Sequence, residues 1–171
     1  MPRYVAFLRG VSPVNAKNIE LKRAFEQASF TDLKTVFSSG NVAFNAPAQS
    51  APELARQAEA AIEKHLGRSF YTVVRPHSYL RELVEADPFA GLDLPANAKR
   101  IVTFLGEPYT ANAGLPLETG DGWLLAMYGG DVFSAYIPNP RGSKVMVIIE
   151  KMFGRHVTTR TWETVMKCAI A

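Results

Sequence analysis

The sequence predicts an α+β protein made of two consecutive βαββαβ halves with antiparallel sheets, each half followed by a short helix. Three observations lead there. Strand-like apolar runs alternate with amphipathic helical stretches along all 171 residues. Val102-Thr103-Phe104-Leu105 repeats the character of Val5-Ala6-Phe7-Leu8. Leu80, Leu83 and Val84 follow Arg75 at the same offsets at which Val165, Cys168 and Ala169 follow Arg160. A diverged duplication accounts for these echoes, with chance likeness of generic α/β pieces as the alternative.

In the first half, Tyr4 to Leu8 is apolar on both alternating faces, as a strand covered on both sides requires. The loop Gly10 to Lys17 leads to a helix with Leu21, Ala24, Phe25 and Ala28 on one stripe and Asn18 as its N-cap. Leu33 to Ser38 and Asn41 to Asn45 are two strands joined by a tight hairpin at Ser39-Gly40. Ser50 and Glu53 form a capping box with Pro52 in the first turn. Leu54, Ala58, Ala61, Ile62 and Leu66 hold helical phase until Gly67, and Phe70 to Val74 is the fourth strand.

The second half opens with Lys99 to Leu105. Trp123 to Tyr128 and Val132 to Ile137 make a hairpin around Gly129-Gly130-Asp131. Ser143 caps a helix carrying Val145, Ile148, Ile149 and Met152 on one face, stopped by Gly154, and Val157 to Arg160 is the last strand. Pro108, Gly114 and Pro116 leave little room for a helix between Glu107 and Thr119. The expected division is 1–76 for the first half and 77–171 for the linking helix, second half and terminal helix.

A 47% hydrophobic and 20% charged composition excludes disorder. Apolar runs such as Val145 to Ile149 are far too short for a membrane span. Met1-Pro2-Arg3 leads into a strand rather than a signal peptide. Cys168, the only cysteine, forbids an internal disulfide and suits a reducing cytoplasm. The net charge of +3 is unevenly placed: six Lys and Arg between Arg141 and Lys167 face only Glu150 and Glu163. That field favours an anionic partner or is a solvated basic face.

Three separated motifs carry a family resemblance. They are Phe7-Leu8-Arg9-Gly10-Val11; Thr31-Asp32 with Ser38-Ser39-Gly40-Asn41-Val42; and Thr158-Thr159-Arg160-Thr161-Trp162 with Thr164-Val165 and Lys167. Together they resemble the bacterial family called domain of unknown function 1697. The resemblance implies paired ferredoxin-like halves and brings no activity with it. The commoner family pattern has Asn-Val-Gly-Gly-Lys where Ser12-Pro13-Val14-Asn15-Ala16-Lys17 stand here, which puts in doubt any ligand role of those glycines.

A ferredoxin-like half orders its strands 4-1-3-2, so the loop after strand 1 and the hairpin between strands 2 and 3 share an edge. Arg9, Asn15, Lys17 and Asn18 then approach Ser39, Gly40 and Asn41. Their cations, amides and hydroxyls suit a phosphate or carboxylate, or satisfy their own turns. In the second half Arg141, Lys144 and Arg160 share the opposite edge with the Ser143 helix terminus. The candidate ligand residues are therefore Arg9, Asn15, Lys17, Ser39, Asn41, Lys144 and Arg160.

His65, His77 and His156 have no acidic or thiol companions at ligand spacing, so neither a metal nor a cofactor is expected. No phosphate-binding P-loop, dinucleotide turn or nucleophile elbow is present, and no motif fixes a reaction. Cys168 reads as inert core, and Asp87 and Asp93 as turn residues rather than paired acids. RNA-reading sheets of this shape need aromatics where Ser39 and Asn41 stand. Binding of a small anionic ligand ranks first, weak non-specific nucleic-acid binding second, and a non-catalytic interaction role third.

Overall fold

The computed structural model describes residues 1–171. Two antiparallel sheets organise the chain, each carrying helices. By packing, it divides into one unit of residues 1–85 with 163–171 and a second of residues 86–162, where the sequence led us to expect 1–76 and 77–171.

The first unit runs β1 (Arg3–Leu8), α1 (Asn18–Gln27), β2 (Thr31–Thr35), β3 (Asn41–Asn45), α2 (Ala51–Leu66), β4 (Thr72–Pro76) and α3 (His77–Ala86). Its sheet order, β2-β3-β1-β4, is that of a ferredoxin-like half. Val5 to Leu8 are fully buried, as the uninterrupted apolar run foretells. The stripes of α1 (Leu21, Ala24, Phe25) and α2 (Leu54, Ala58, Ile62) close over Tyr4, Ala6, Val42 and Phe44. The core is knit by aromatic contacts, with Phe30 stacked on Phe44 at 4.4 Å between centroids and Phe25 edge-on to both.

Four local expectations shift. Lys17, not Asn18, is the N-cap residue of α1; the Asn18 amide instead donates to Phe37 O across the loop (2.7 Å). β2 begins at Thr31, with a register irregularity between Thr31 and Lys34 beside Asp32 at φ 49°. Residues 36–40 form a longer loop in place of a two-residue turn. Gly40 there has φ 85°, and a Cβ on it would lie 2.9 Å from Val11 Cβ, so only glycine fits. The fourth strand, expected over Phe70–Val74, ends two residues later, at Pro76.

The second unit holds β5 (Lys99–Leu105), β6 (Leu117–Glu118), β7 (Gly122–Tyr128), β8 (Asp131–Tyr136), α4 (Lys144–Phe153) and β9 (Val157–Thr161); α5 (Trp162–Cys168) follows. Its sheet is ordered β6-β7-β8-β5-β9, so β7-β8-β5-β9 reproduces the order of the first half. The helix that would follow β5 is missing, as Pro108, Gly114 and Pro116 demand, and the short edge strand β6 stands there instead. Gly129 and Gly130, at φ 60° and 86°, make the two-residue hairpin turn that needs positive φ at both positions. Trp162 is buried, edge-on to Phe89 and Phe133. No helix is long and apolar enough to cross a membrane.

Candidate functional site

The residues singled out from the sequence fall into three places. On the first unit, Leu8 N–H donates to Gly40 O (2.9 Å), so the loop after β1 does meet the β2–β3 loop. Arg9, Asn15, Lys17, Ser39 and Asn41 gather at that edge, but the amides are spent locally. Asn15 donates to Gly10 O (2.8 Å) and accepts from Ser12 N (2.8 Å). Asn41 is buried and donates to Val36 O (3.0 Å) and Ser39 Oγ (3.1 Å). Lys17 is exposed, and Arg9 is half-buried with its main-chain N–H on Tyr71 O.

On the second unit, Arg141, Ser143 and Lys144 line a hollow of about 310 Å³ at the start of α4. Asp121 also lines it, and its carboxylate already accepts from Lys144 N (2.8 Å) and Val145 N (3.3 Å), with Thr119 Oγ1 donating as well (3.0 Å). Ser143 Oγ accepts from Met146 N (3.2 Å). The helix N-terminus is thus occupied by a carboxylate of the chain itself, where its own first turn has no acid. Arg160 does not join this wall. It is buried on β9, donating to Thr158 Oγ1 (2.6 Å) and Thr159 O (2.9 Å).

A further place was not foreseen. In the first unit Arg3, Tyr4, Gln49, His77, Ser78 and Arg81 line a hollow of about 400 Å³. The antiparallel pairing of β1 with β4 sets Tyr4 opposite Pro76, which brings Arg3, at the start of β1, to His77, at the start of α3. His77 and Arg81 are one helical turn apart, so both face the same side. Arg3 is braced by Nε to Ala171 O (3.0 Å) and by Nη1 to Asn45 Oδ1 (2.8 Å) and the Asp32 carboxylate (3.2 Å). Its Nη2 carries no such bond, and Arg81 is exposed without an acidic partner.

His77 is the distinctive group in this hollow. It bonds the Ala171 main chain, while Nε2 is buried without any partner. Burial, and then the neighbouring Arg3 and Arg81 charges, push its pKa below the ordinary 6.5. The ring is therefore neutral near pH 7, and Nε2 is a lone pair awaiting a donor. A buried polar atom left so is uncommon and calls for an explanation. No group of His, Cys, Asp and Glu is placed to hold a metal ion.

No curated protein matches the chain. Among solved structures it is similar to a conserved bacterial protein, SP0830 from Streptococcus pneumoniae, at 19% identity, with a TM-score of 0.71 over 99% of this chain and 97% of that one. At that identity the likeness concerns the fold. The family model described as a protein of unknown function, DUF1697, matches residues 1–122, which include the first two sequence motifs and all of β1 to β6. The chain belongs to the DUF1697 family.

Proposed function

We propose that the protein binds a small ligand bearing a phosphate or carboxylate, seated in the hollow of Arg3, His77 and Arg81. One observation carries this reading: Arg3 and Arg81 line one hollow together with His77, with no acidic side chain on its wall. Arginine suits the task because its planar fork matches an oxyanion with paired hydrogen bonds. The second-unit hollow is a weaker seat, since Asp121 fills the role an anion would play. The buried state of Tyr4, Phe7 and Phe44 supports ranking nucleic acid below a small ligand, because β1 and β3 offer no aromatic platform for a base. Cys168, buried and reduced, supports a cytoplasmic setting.

The test is a calorimetric titration with inorganic phosphate at low ionic strength. Arg81→Ala should weaken binding roughly 10- to 100-fold, the scale of a lost charged hydrogen bond. Lys144→Ala should leave it unchanged. Loss of binding in Lys17→Ala with Arg81→Ala unaffected would move the site to the edge of Arg9, Lys17, Ser39 and Asn41. Loss in Lys144→Ala would move it to the second unit.

A further inference from the structure

The end of β1 remote from Arg3 carries a second surface, independent of the hollow. Two loops of the first unit meet there, residues 10–17 after β1 and residues 36–40 between β2 and β3, joined where Gly40 closes on Leu8 and Val11. Three large apolar side chains stand out from these loops and from the start of α1. Val14 is 96% exposed, Ile19 57% and Phe37 49%. The backbone that displays them is fixed. Ser12 O accepts from Asn15 N (3.2 Å) and Ala16 N (3.1 Å), closing a turn that contains Val14. Phe37 has φ 53°, a conformation that a bulky residue rarely adopts. Val36 O accepts from the Asn41 amide (3.0 Å) and Phe37 O from the Asn18 amide (2.7 Å), so neighbouring side chains hold the strain. The Asn18 bond also ties Phe37 to the start of α1, where Lys17 and Ile19 flank Asn18. Strain kept for an exposed ring points to a contact.

The charge of this edge has one sign. Residues 9–19 and 33–42 include Arg9, Lys17 and Lys34 and no acid, and Lys17 and Lys34 are exposed. Glu20, the next acid along α1, is held by Arg23 (2.9 Å) and His65 (2.7 Å). No side chain caps α1, so its N-terminus adds to the positive field. We infer that this edge rests on an anionic lipid surface, with Val14, Ile19 and Phe37 entering the headgroup region while Lys17, Arg9 and Lys34 face lipid phosphates. Reversible attachment of this kind combines apolar insertion with basic charge, and both are present. Like charge opposes a second copy on the same surface. One aromatic ring is a poor platform for a nucleic-acid strand, which stacks successive bases. A protein partner needs a close-fitting surface, and Val14 touches almost nothing of its own chain. A fluid interface accepts such a tip.

Sedimentation of the full chain with phosphatidylglycerol vesicles and with phosphatidylcholine vesicles tests this. The chain should pellet with the anionic vesicles alone, and added salt should weaken the binding. Lys17→Glu should lower the affinity roughly 30-fold, because each basic residue counts near a charged bilayer. Phe37→Asn removes the ring but accepts positive φ, and should lower the affinity roughly tenfold with the melting temperature unchanged or raised. Val14→Ser should lower it roughly fivefold. Full binding by Phe37→Asn and Val14→Ser would overturn the insertion, and full binding by Lys17→Glu would overturn the headgroup contact. Equal binding to neutral vesicles would overturn the charge requirement. Loss in Arg81→Ala without loss in Lys17→Glu would place the lipid phosphate in the hollow of Arg3, overturning this surface and leaving the small-anion reading intact. Absence from every vesicle pellet would overturn the lipid surface. A dimer that Phe37→Asn dissociates, or a single-stranded oligonucleotide that it releases, would then name the occupant instead.

Discussion

The two hollows are built from similar parts and reach opposite states. Each lies at the N-terminal end of a ten-residue helix, α3 or α4, and each has two cationic side chains on its wall. At α4 the chain supplies its own anion: Asp121, at the start of β7, spans back to the first two N–H groups of the helix. At α3 no carboxylate does so, and an imidazole nitrogen is left without a partner. Electrostatic complementarity alone does not mark a ligand site. What distinguishes one is complementarity that the chain leaves unmet.

The sharpest way to break that contrast is to remove Asp121. Asp121→Ala strips acceptors from two helix N–H groups and from the Thr119 hydroxyl, and should cost about 2–3 kcal/mol in denaturant unfolding. Arg81→Ala, on an exposed face, should change stability by no more than about 0.5 kcal/mol. Equal costs would mean that both hollows are structural.

The acid–base behaviour of His77 gives a smaller effect with a definite sign. The folded state holds this ring below its ordinary 6.5, so the unfolded chain binds the proton more readily. Stability is then fullest above pH 6.5 and declines as pH falls through 6.5 towards the lower folded value. Melting temperatures across that window should show the decline in the wild type and a flatter profile in His77→Gln. A slope unaltered by His77→Gln would assign it to other groups.

Much of the fold was legible because its signals are local. The Ser50 cap on Glu53 N, the Gly67 stop at φ 73° and the Gly129-Gly130 turn each rest on neighbouring residues. The missing helix after β5 was legible from Pro108, Gly114 and Pro116. The candidate site was less so, because it depends on register. With the fourth strand placed over Phe70–Val74 and a linking helix from residue 77, nothing pairs Pro76 with β1. Extending it to Pro76 sets Tyr4 opposite Pro76 and brings Arg3 to the ring. Asp121 was missed for a similar reason, since its partner Lys144 is 23 residues away and no local pattern marks a cap made at that distance. The amides of Asn15, Asn18 and Asn41 close loops, the alternative that short polar side chains always offer.

The smallest effect separates the two capping serines. Ser50 Oγ accepts from Glu53 N (3.3 Å) at the head of α2, and Ser143 Oγ accepts from Met146 N (3.2 Å) at the head of α4. The hydrogen bonds are alike, but their surroundings differ. At α4 the carboxylate of Asp121 satisfies the two preceding N–H groups and holds the first turn whether or not the hydroxyl is present. At α2 no carboxylate from elsewhere in the chain does this, and the turn leans on Ser50, on Pro52 and on Glu53 in the first turn. Ser50→Ala should therefore cost about 1 kcal/mol, a typical cap loss, and Ser143→Ala roughly half of that. In an Asp121→Ala background the Ser143 hydroxyl becomes the main remaining cap, and its removal should cost as much as that of Ser50. A double-mutant cycle reads this directly, because residues serving one helix end are coupled. Strict additivity of Asp121→Ala and Ser143→Ala would show that the carboxylate does not share the capping of α4, and the contrast between the two hollows would lose its structural half.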